Sequence, residues 1–182
     1  MELVVNGVTL EIVRGDITRQ PGLDCIVSSA NAQLKKGEGV SGDVHRAAGP
    51  TLDEAARRYA PVRPGEVRIT EGYHLPNDYI IHCRGPAYGK DYPADVLLFA
   101  CYRNIFSLAE KYRLESIAIP AIATGGCGYP MQEAAEVALQ VFKTESKEFN
   151  YLKNVRFVLY SVRELVLFKT ALHVLDAEKE LT

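Results

Sequence analysis

The chain opens on strict alternation. Val8, Leu10 and Ile12 share one face of a strand running from Val8 to Arg14, with polar residues between them. Asn6-Gly7 just before it is a tight-turn signal, so a short strand at the amino terminus pairs back onto this one as a hairpin. After Arg14 the period changes. Cys25-Ile26-Val27-Ser28, Tyr79-Ile80-Ile81-His82, Ser116-Ile117-Ala118-Ile119 and the run from Val155 to Tyr160 are compact and largely apolar, which suits strands covered on both faces. Between them the apolar positions move to helical spacing. Leu98, Cys101, Ile105, Leu108 and Tyr112 make one amphipathic stripe, and Ala134, Val137, Ala138 and Val141 a second. Leu165, Phe168, Leu172 and Leu175 mark a final helix. Strands alternating with helices predict a mixed, mostly parallel sheet sandwiched between helices.

No repeat, low-complexity tract or Pro/Gly/Ser linker breaks this pattern, and 182 residues suit one domain, 1–182, long enough to bury a sizeable core. Charge narrows the function more than composition does. A formal net charge of -2 offers no global attraction to nucleic acid or an anionic membrane, so any polyanion must be held by a local site. No signal-peptide pattern precedes the first strand and no apolar run is long enough to span a bilayer; a cytoplasmic location and no membrane partner are expected. The four cysteines, Cys25, Cys83, Cys101 and Cys127, include no C-x-x-C pair, so no metal or redox motif is signalled. The first three lie in apolar runs and read as buried reduced thiols.

In a mostly parallel sheet the ligand sits beyond the carboxyl ends of the strands, at a switch point in the strand order. Two of the loops leaving those ends are unusual. One follows Cys25–Ser28 and reads Ser29-Ala30-Asn31, then Gly37-Glu38-Gly39-Val40-Ser41-Gly42, and enters a helical stretch from Asp43 to Gly49. The other follows Ser116–Ile119 and reads Ala123-Thr124-Gly125-Gly126-Cys127-Gly128-Tyr129-Pro130. Each sets glycines between a buried strand and a helix, where free backbone N–H groups and a helix N-terminus cradle phosphate. Two such loops facing each other could grip a diphosphate. Each taken alone is also what a plain structural turn looks like. Neither is a P-loop, since no Gly-Lys-Ser/Thr follows, and neither has the dinucleotide-binding glycine spacing.

The surroundings are more specific. Gly15-Asp16-Ile17-Thr18, Ala30-Asn31, Gly39-Val40-x-Gly42, His45-Arg46-Ala47-Ala48-Gly49, Gly72-Tyr73-x-Leu75-Pro76, His82-x-x-Gly85-Pro86 and Ile122-x-Thr124-Gly125 form an ordered series. It resembles the macrodomain family, in its MacroD-like branch, from about Gly15 to Tyr160. The resemblance implies a three-layer α/β/α sandwich and recognition of ADP-ribose, as free metabolite, as O-acetyl-ADP-ribose or as a modification on protein. No cofactor is expected, and without a zinc motif the residues give no reason to invoke a metal. Many MacroD-like members hydrolyse the ester joining ADP-ribose to acidic side chains or to acetate. A nucleic-acid-linked substrate is compatible with the resemblance but not indicated by the residues.

Carried over by motif, Asp16 accepts from the adenine amine with Ile17 beside it, a task suited to a group that only accepts. Tyr160 stands where the family often stacks an aromatic ring on adenine. Asn31 matches the asparagine at the distal ribose. Gly39, Val40, Ser41 and Gly42 supply backbone contacts to that ribose and the diphosphate, and Thr124, Gly125, Gly126, Cys127, Gly128 and Tyr129 close the other side. Cys127 is placed at the ligand through its position and backbone rather than its sulfur; the alternative, a nucleophilic thiol, needs a lowered pKa, which a glycine loop at a helix N-terminus could provide. His45 and His82 read as structural, and Arg46 as a solvated or sheet-capping charge.

Two departures bear on catalysis. Where many members have Asn-Ala-Ala-Asn, this chain has Ser28-Ser29-Ala30-Asn31; where hydrolytic members read Gly-Val-Asp-Gly, it has Gly39-Val40-Ser41-Gly42. The expected aspartate is Ser41, and a hydroxyl is a poor general base without a partner to take its proton. Asp43, two residues on, either favours the helix dipole or reaches back as a displaced base. The candidate reacting set is therefore Asn31, Ser41 and Asp43. Two functions stay open. The leading one is an ADP-ribosyl ester hydrolase or O-acetyl-ADP-ribose deacetylase using water as nucleophile; the alternative is a reader that binds ADP-ribose without turnover.

Overall fold

The computed structural model of the chain describes residues 1–180, so the last two residues of the expected 1–182 domain lie outside it. Seven strands form one sheet: β1 (Glu2–Val5), β2 (Val8–Arg14), β3 (Cys25–Ser29), β4 (Val67–Glu71), β5 (Tyr79–Cys83), β6 (Ser116–Ile119) and β7 (Asn154–Leu159). Their order is β1-β2-β7-β6-β3-β5-β4. The five central strands run parallel, while β1 and β4 lie antiparallel at the two edges.

The helices are α1 (Gly39–Ala48), α2 (Pro50–Arg57), α3 (Ala94–Lys111), α4 (Met131–Glu145) and α5 (Val162–Glu180). Side-chain alternation on the strands splits the interior in two. Leu10, Ile12, Cys25, Val27, Ile81, Cys83, Ile117, Ile119, Val155 and Phe157 meet α3, α4 and α5 in the larger core. Ile26, Ile80, Ala118 and Val158 face the other way, against Val44 and Ala48 of α1 and Leu52 and Ala56 of α2. The fold is an α/β/α sandwich; the three helical stripes read from the sequence, α3, α4 and α5, all lie on the larger core, and the strands read from it contribute to both faces.

Two elements escaped the apolar pattern. Strand β4, Val-Arg-Ile-Thr-Glu, is an edge strand with only Thr70 buried, so its apolar content is too low to mark it. Helix α2 begins at Pro50, directly after the Gly49 that closes α1, and its eight residues bury only Leu52 and Ala56. The start of the first helix also differs from the expected Asp43. α1 begins at Gly39, so Gly39 to Gly42 are its first turn rather than a loop before it, and Asp43 lies one residue past that turn.

Layer and order together locate the crevice. After β3 the chain passes to α1 on one face; after the neighbouring β6 it passes to α4 on the other. Adjacent parallel strands whose helices leave to opposite faces open a gap at their carboxyl ends, the switch point of an α/β sheet.

Candidate functional site

The parallel strands all end on one edge, and the strand order puts the candidate residues in sequence along it. Gly15-Asp16 follows β2, and Tyr160 follows β7. The Thr124–Tyr129 loop follows β6, and Asn31 with the Gly39–Gly42 turn follows β3. Residues scattered from 16 to 160 thus share one edge because their strands are neighbours.

Asp16 closes a local turn. Its Oδ1 accepts from the Thr18 N–H at 2.9 Å and from the Thr18 hydroxyl at 2.7 Å. That hydroxyl, followed by the Thr18 N–H, holds the carboxyl below its ordinary value, so Asp16 is an anion and a pure acceptor at neutral pH. Oδ2 has only Arg19, at 3.9 Å. Ile17 beside it is buried, whereas Tyr160 is 83% exposed, an unusual state for a large ring that no protein contact explains.

The β6–α4 loop is held from below and bare above. Thr124 turns its hydroxyl back to the Ala121 carbonyl at 2.9 Å, and the Gly128 N–H closes a turn onto Gly125 O at 3.0 Å. Among the described residues, no backbone carbonyl accepts from the N–H of Thr124, Gly125, Gly126 or Cys127. Neither Gly125 nor Gly126 has a positive φ, and a Cβ on either would meet nothing within 4 Å. The fold itself therefore asks for glycine at neither position. A backbone stripped of side chains with its donors unspent is a surface shaped for close approach by an acceptor.

Gly42 has the opposite reason. A Cβ there would lie 2.3 Å from the Gly37 carbonyl oxygen, so the first turn of α1 packs on the preceding loop only without a side chain. No side chain caps this helix at Glu38, and no carboxylate occupies its first turn. Its leading N–H groups and the positive end of its dipole are left for an anion.

Asn31 spends half of its amide on shaping the loop: Nδ2 donates to Lys35 O at 2.8 Å and Oδ1 accepts from Lys35 N at 3.0 Å. An amide has two N–H donors and two acceptor lone pairs, so one of each is left. Ser41 is buried and its hydroxyl donates to the same Lys35 carbonyl at 3.2 Å. Its proton is already committed to an acceptor that cannot take it. Asp43 pairs with Arg46 one turn along α1, both side chains about half exposed.

Of the remaining titratable groups, Cys127 lies in the loop itself, and Cys25, Cys83, Cys101, His45 and His82 are buried behind the edge. Burial, then Asp91, pushes the Cys127 thiol up, so it is no thiolate. Cys25, Cys83 and Cys101 are buried free thiols. His45, buried on α1, meets Asp53 of α2 at 2.5 Å, and His82 Nε2 meets the Thr70 hydroxyl at 2.9 Å. Burial first, and His45 second, pushes His82 down to about 3. Ser28 Oγ and His82 Nδ1, register partners on β3 and β5, are buried with no hydrogen-bond partner.

Sequence spacing did not single out Tyr88. Its N–H donates to Cys127 O at 2.8 Å and its ring stands edge-on to Tyr129 at 5.1 Å, so the β5–α3 segment braces the glycine loop. Gly85 in that segment comes so close to the loop that a Cβ would sit 2.9 Å from Ala123 Cβ. A depression of about 440 Å³ lies at the opposite, amino edge, between Glu71 and Tyr79; its carboxylates Glu71 and Asp78 repel rather than attract a diphosphate. Among the described residues no cluster of three or more His, Cys, Asp or Glu side chains is placed to share a metal, and no helix is long and apolar enough to cross a membrane.

Comparison with known proteins identifies the family. The family model described as Macro domain matches residues 27–138. A macro domain-containing protein of Ralstonia nicotianae is 42% identical over 167 residues, covering 91% of this chain and 95% of that protein. An ADP-ribose glycohydrolase of Bos taurus is 42% identical over 136 residues, covering 74% of this chain but 42% of that protein. Among solved structures, an Oceanobacillus iheyensis macrodomain variant with ADPR superimposes with a TM-score of 0.92 at 39% identity, covering 97% of this chain and 98% of that one. A Trypanosoma brucei macrodomain in complex with ADP-ribose gives 0.84 at 34% identity, over 90% of this chain and 68% of that one. Across nearly its whole length, this chain belongs to the macro domain family.

Proposed function

We propose that the chain binds ADP-ribose along the carboxyl edge of its sheet and hydrolyses ADP-ribosyl esters there, with water as the nucleophile. One observation carries the binding: the run of unspent N–H groups from Thr124 to Cys127, which includes two glycines the fold does not require, Gly125 and Gly126, together with the uncapped start of α1 at the end of the neighbouring strand. A diphosphate held between them satisfies both. Asp16 then accepts from the adenine amine, Ile17 lies against the base, and exposed Tyr160 stacks on it for about 1–3 kcal/mol. The spare half of the Asn31 amide and the Gly39–Gly42 turn meet the distal ribose. Known macrodomains with bound ADPR or ADP-ribose, and a relative named as an ADP-ribose glycohydrolase, support this reading. The substrates that fit are mono-ADP-ribosylated aspartate or glutamate on a protein, and O-acetyl-ADP-ribose. The chain acts as one domain and needs no metal or cofactor for a water-driven ester cleavage; a cytoplasmic site of action goes with protein substrates of this kind.

A second reading, a reader without turnover, has its own support. Ser41 donates its proton to a carbonyl and Asp43 is paired with Arg46, so neither is poised to take a proton from water. Loss of a general base costs about 10²–10⁴-fold, which leaves a slow enzyme or a pure binder.

One assay separates them. The protein is incubated with an aspartate/glutamate-ADP-ribosylated protein and with O-acetyl-ADP-ribose, beside a Gly125→Glu variant whose carboxylate fills the loop. Release of ADP-ribose by the wild type alone supports the hydrolase, and a Ser41→Asp gain in rate identifies what limits it. Calorimetric binding without release supports the reader. No heat and no affinity for ADP-ribose overturns both.

A further inference from the structure

The strand order gives the edge a direction. The nucleotide reading above, on which this inference rests, puts adenine at the β2 and β7 ends and the distal ribose at β3. The next strand beyond β3 is β5, whose outgoing segment leads from Arg84 to the start of α3. On that reading, the segment after β5 is the next surface along the edge for whatever is attached to the distal ribose.

That segment is built as a surface. It folds on itself: the Lys90 and Asp91 N–H groups bond back to Ala87 O, the Ala87 N–H bonds to Asp91 Oδ2, and the Tyr92 hydroxyl donates to Gly89 O at 2.9 Å. It is also tied to the glycine loop through the Tyr88–Cys127 hydrogen bond and the Tyr88–Tyr129 ring contact. Yet its apolar groups face outward. Tyr88 is 47% exposed, Tyr92 74% and Val96, in the first turn of α3, 58%. A rigid loop continuous with a binding crevice and carrying outward aromatic rings has the composition of a recognition surface, because tyrosine contributes large contact area with few rotors to freeze.

We propose that Tyr88, Tyr92 and Val96 receive the polypeptide flanking the ADP-ribosylated side chain, so that the protein reads its substrate as a modified peptide rather than as nucleotide alone. The local charge selects this occupant over a nucleic acid. Asp91 and Asp95 stand close enough to be felt by Cys127 and Tyr129 respectively; Arg84, also felt by Cys127, is half-buried and donates to the Val62 carbonyl, and Lys90 is the one exposed cation between Tyr88 and Val96. A phosphodiester backbone needs cations along its path; two carboxylates beside exposed rings favour a neutral or basic peptide.

The test uses the whole chain and a Tyr92→Ser/Val96→Ser double variant. Neither residue belongs to the crevice, and both side chains are mostly in solvent. Calorimetry compares free ADP-ribose, a short peptide bearing ADP-ribose on glutamine as an uncleavable amide in place of the ester, and an oligonucleotide bearing a terminal ADP-ribose. The wild type is expected to hold the peptide conjugate about tenfold tighter than free ADP-ribose, as buried interface tyrosines do. The double variant is expected to lose that preference with unchanged melting temperature and unchanged affinity for free ADP-ribose. Equal affinity of the wild type for the free and peptide-linked forms overturns the proposal and leaves the nucleotide reading intact. A preference that survives in the double variant does the same, as does one shown for the oligonucleotide instead. Failure of the wild type to bind free ADP-ribose overturns both together.

Discussion

Gly125→Val separates what the fold needs from what the site needs. A Cβ at position 125 meets no atom within 4 Å and the residue has no positive φ, so a side chain can start there without a Cβ clash or left-handed backbone strain. Stability should stay within about 0.5 kcal/mol of wild type, as for a surface change away from any special feature. Binding should not. The side chain occupies the space from which an oxyanion would reach the N–H groups of Gly125 and Gly126. Losing two hydrogen bonds to a charged acceptor, at about 1.5–3 kcal/mol each, weakens ADP-ribose by about a hundredfold or more. Gly42→Ala is the counterweight. Its Cβ would lie 2.3 Å from Gly37 O, so the start of α1 must shift. Overpacking of this kind costs about 1–3 kcal/mol, or roughly 2–10 °C in Tm for a domain of this size. Thermal melting and calorimetric titration of the two variants should therefore move in opposite columns: affinity lost without stability at 125, stability lost at 42. A folded Gly125→Val protein that binds ADP-ribose as well as wild type would refute the assignment of this loop to the diphosphate.

Two further outcomes test the groups around the edge. His82 is held neutral by burial, its pKa pushed from 6.5 to about 3, so between those values the unfolded chain binds the extra proton and stability falls as pH falls. The contribution is about 1.4 kcal/mol per pH unit, near 2 kcal/mol from about pH 6.5 to pH 5; urea unfolding should show this slope flattened in a His82→Asn variant, and equal slopes would refute it. Asp16→Asn keeps the Oδ1 acceptor that Thr18 uses but adds an amide donor, so the preference for ADP-ribose over its hypoxanthine analogue should shrink by about 1–3 kcal/mol in paired titrations; an unchanged preference would place the base elsewhere.

Much of the molecule was legible in the order of its residues. Alternation in Val8–Arg14 and the four apolar runs declare the strands, because a strand covered on both faces admits few polar side chains. The helical stripes declare α3, α4 and α5 for the matching reason of period. Glycine-rich turns after Ser29 and Ile119 could be named as candidates from composition alone. Beyond those elements lies information that no local pattern carries. Strand β4 and helix α2 bury too little to announce themselves, and the start of α1 at Gly39 depends on Gly42 meeting a carbonyl five residues back. Strand order, with β3 beside β6 and β7 beside β2, is what brings Asp16, Asn31, Gly125 and Tyr160 to one edge. Only assembled packing distinguishes the glycines at 125 and 126, which the backbone could do without, from the one at 42, which it cannot. It also shows Ser41 and Asp43 already engaged. Hydrophobic period is a property of neighbours in the chain and survives in the written sequence. Which donors remain unspent depends on partners far apart in the chain, and those exist only once it has folded.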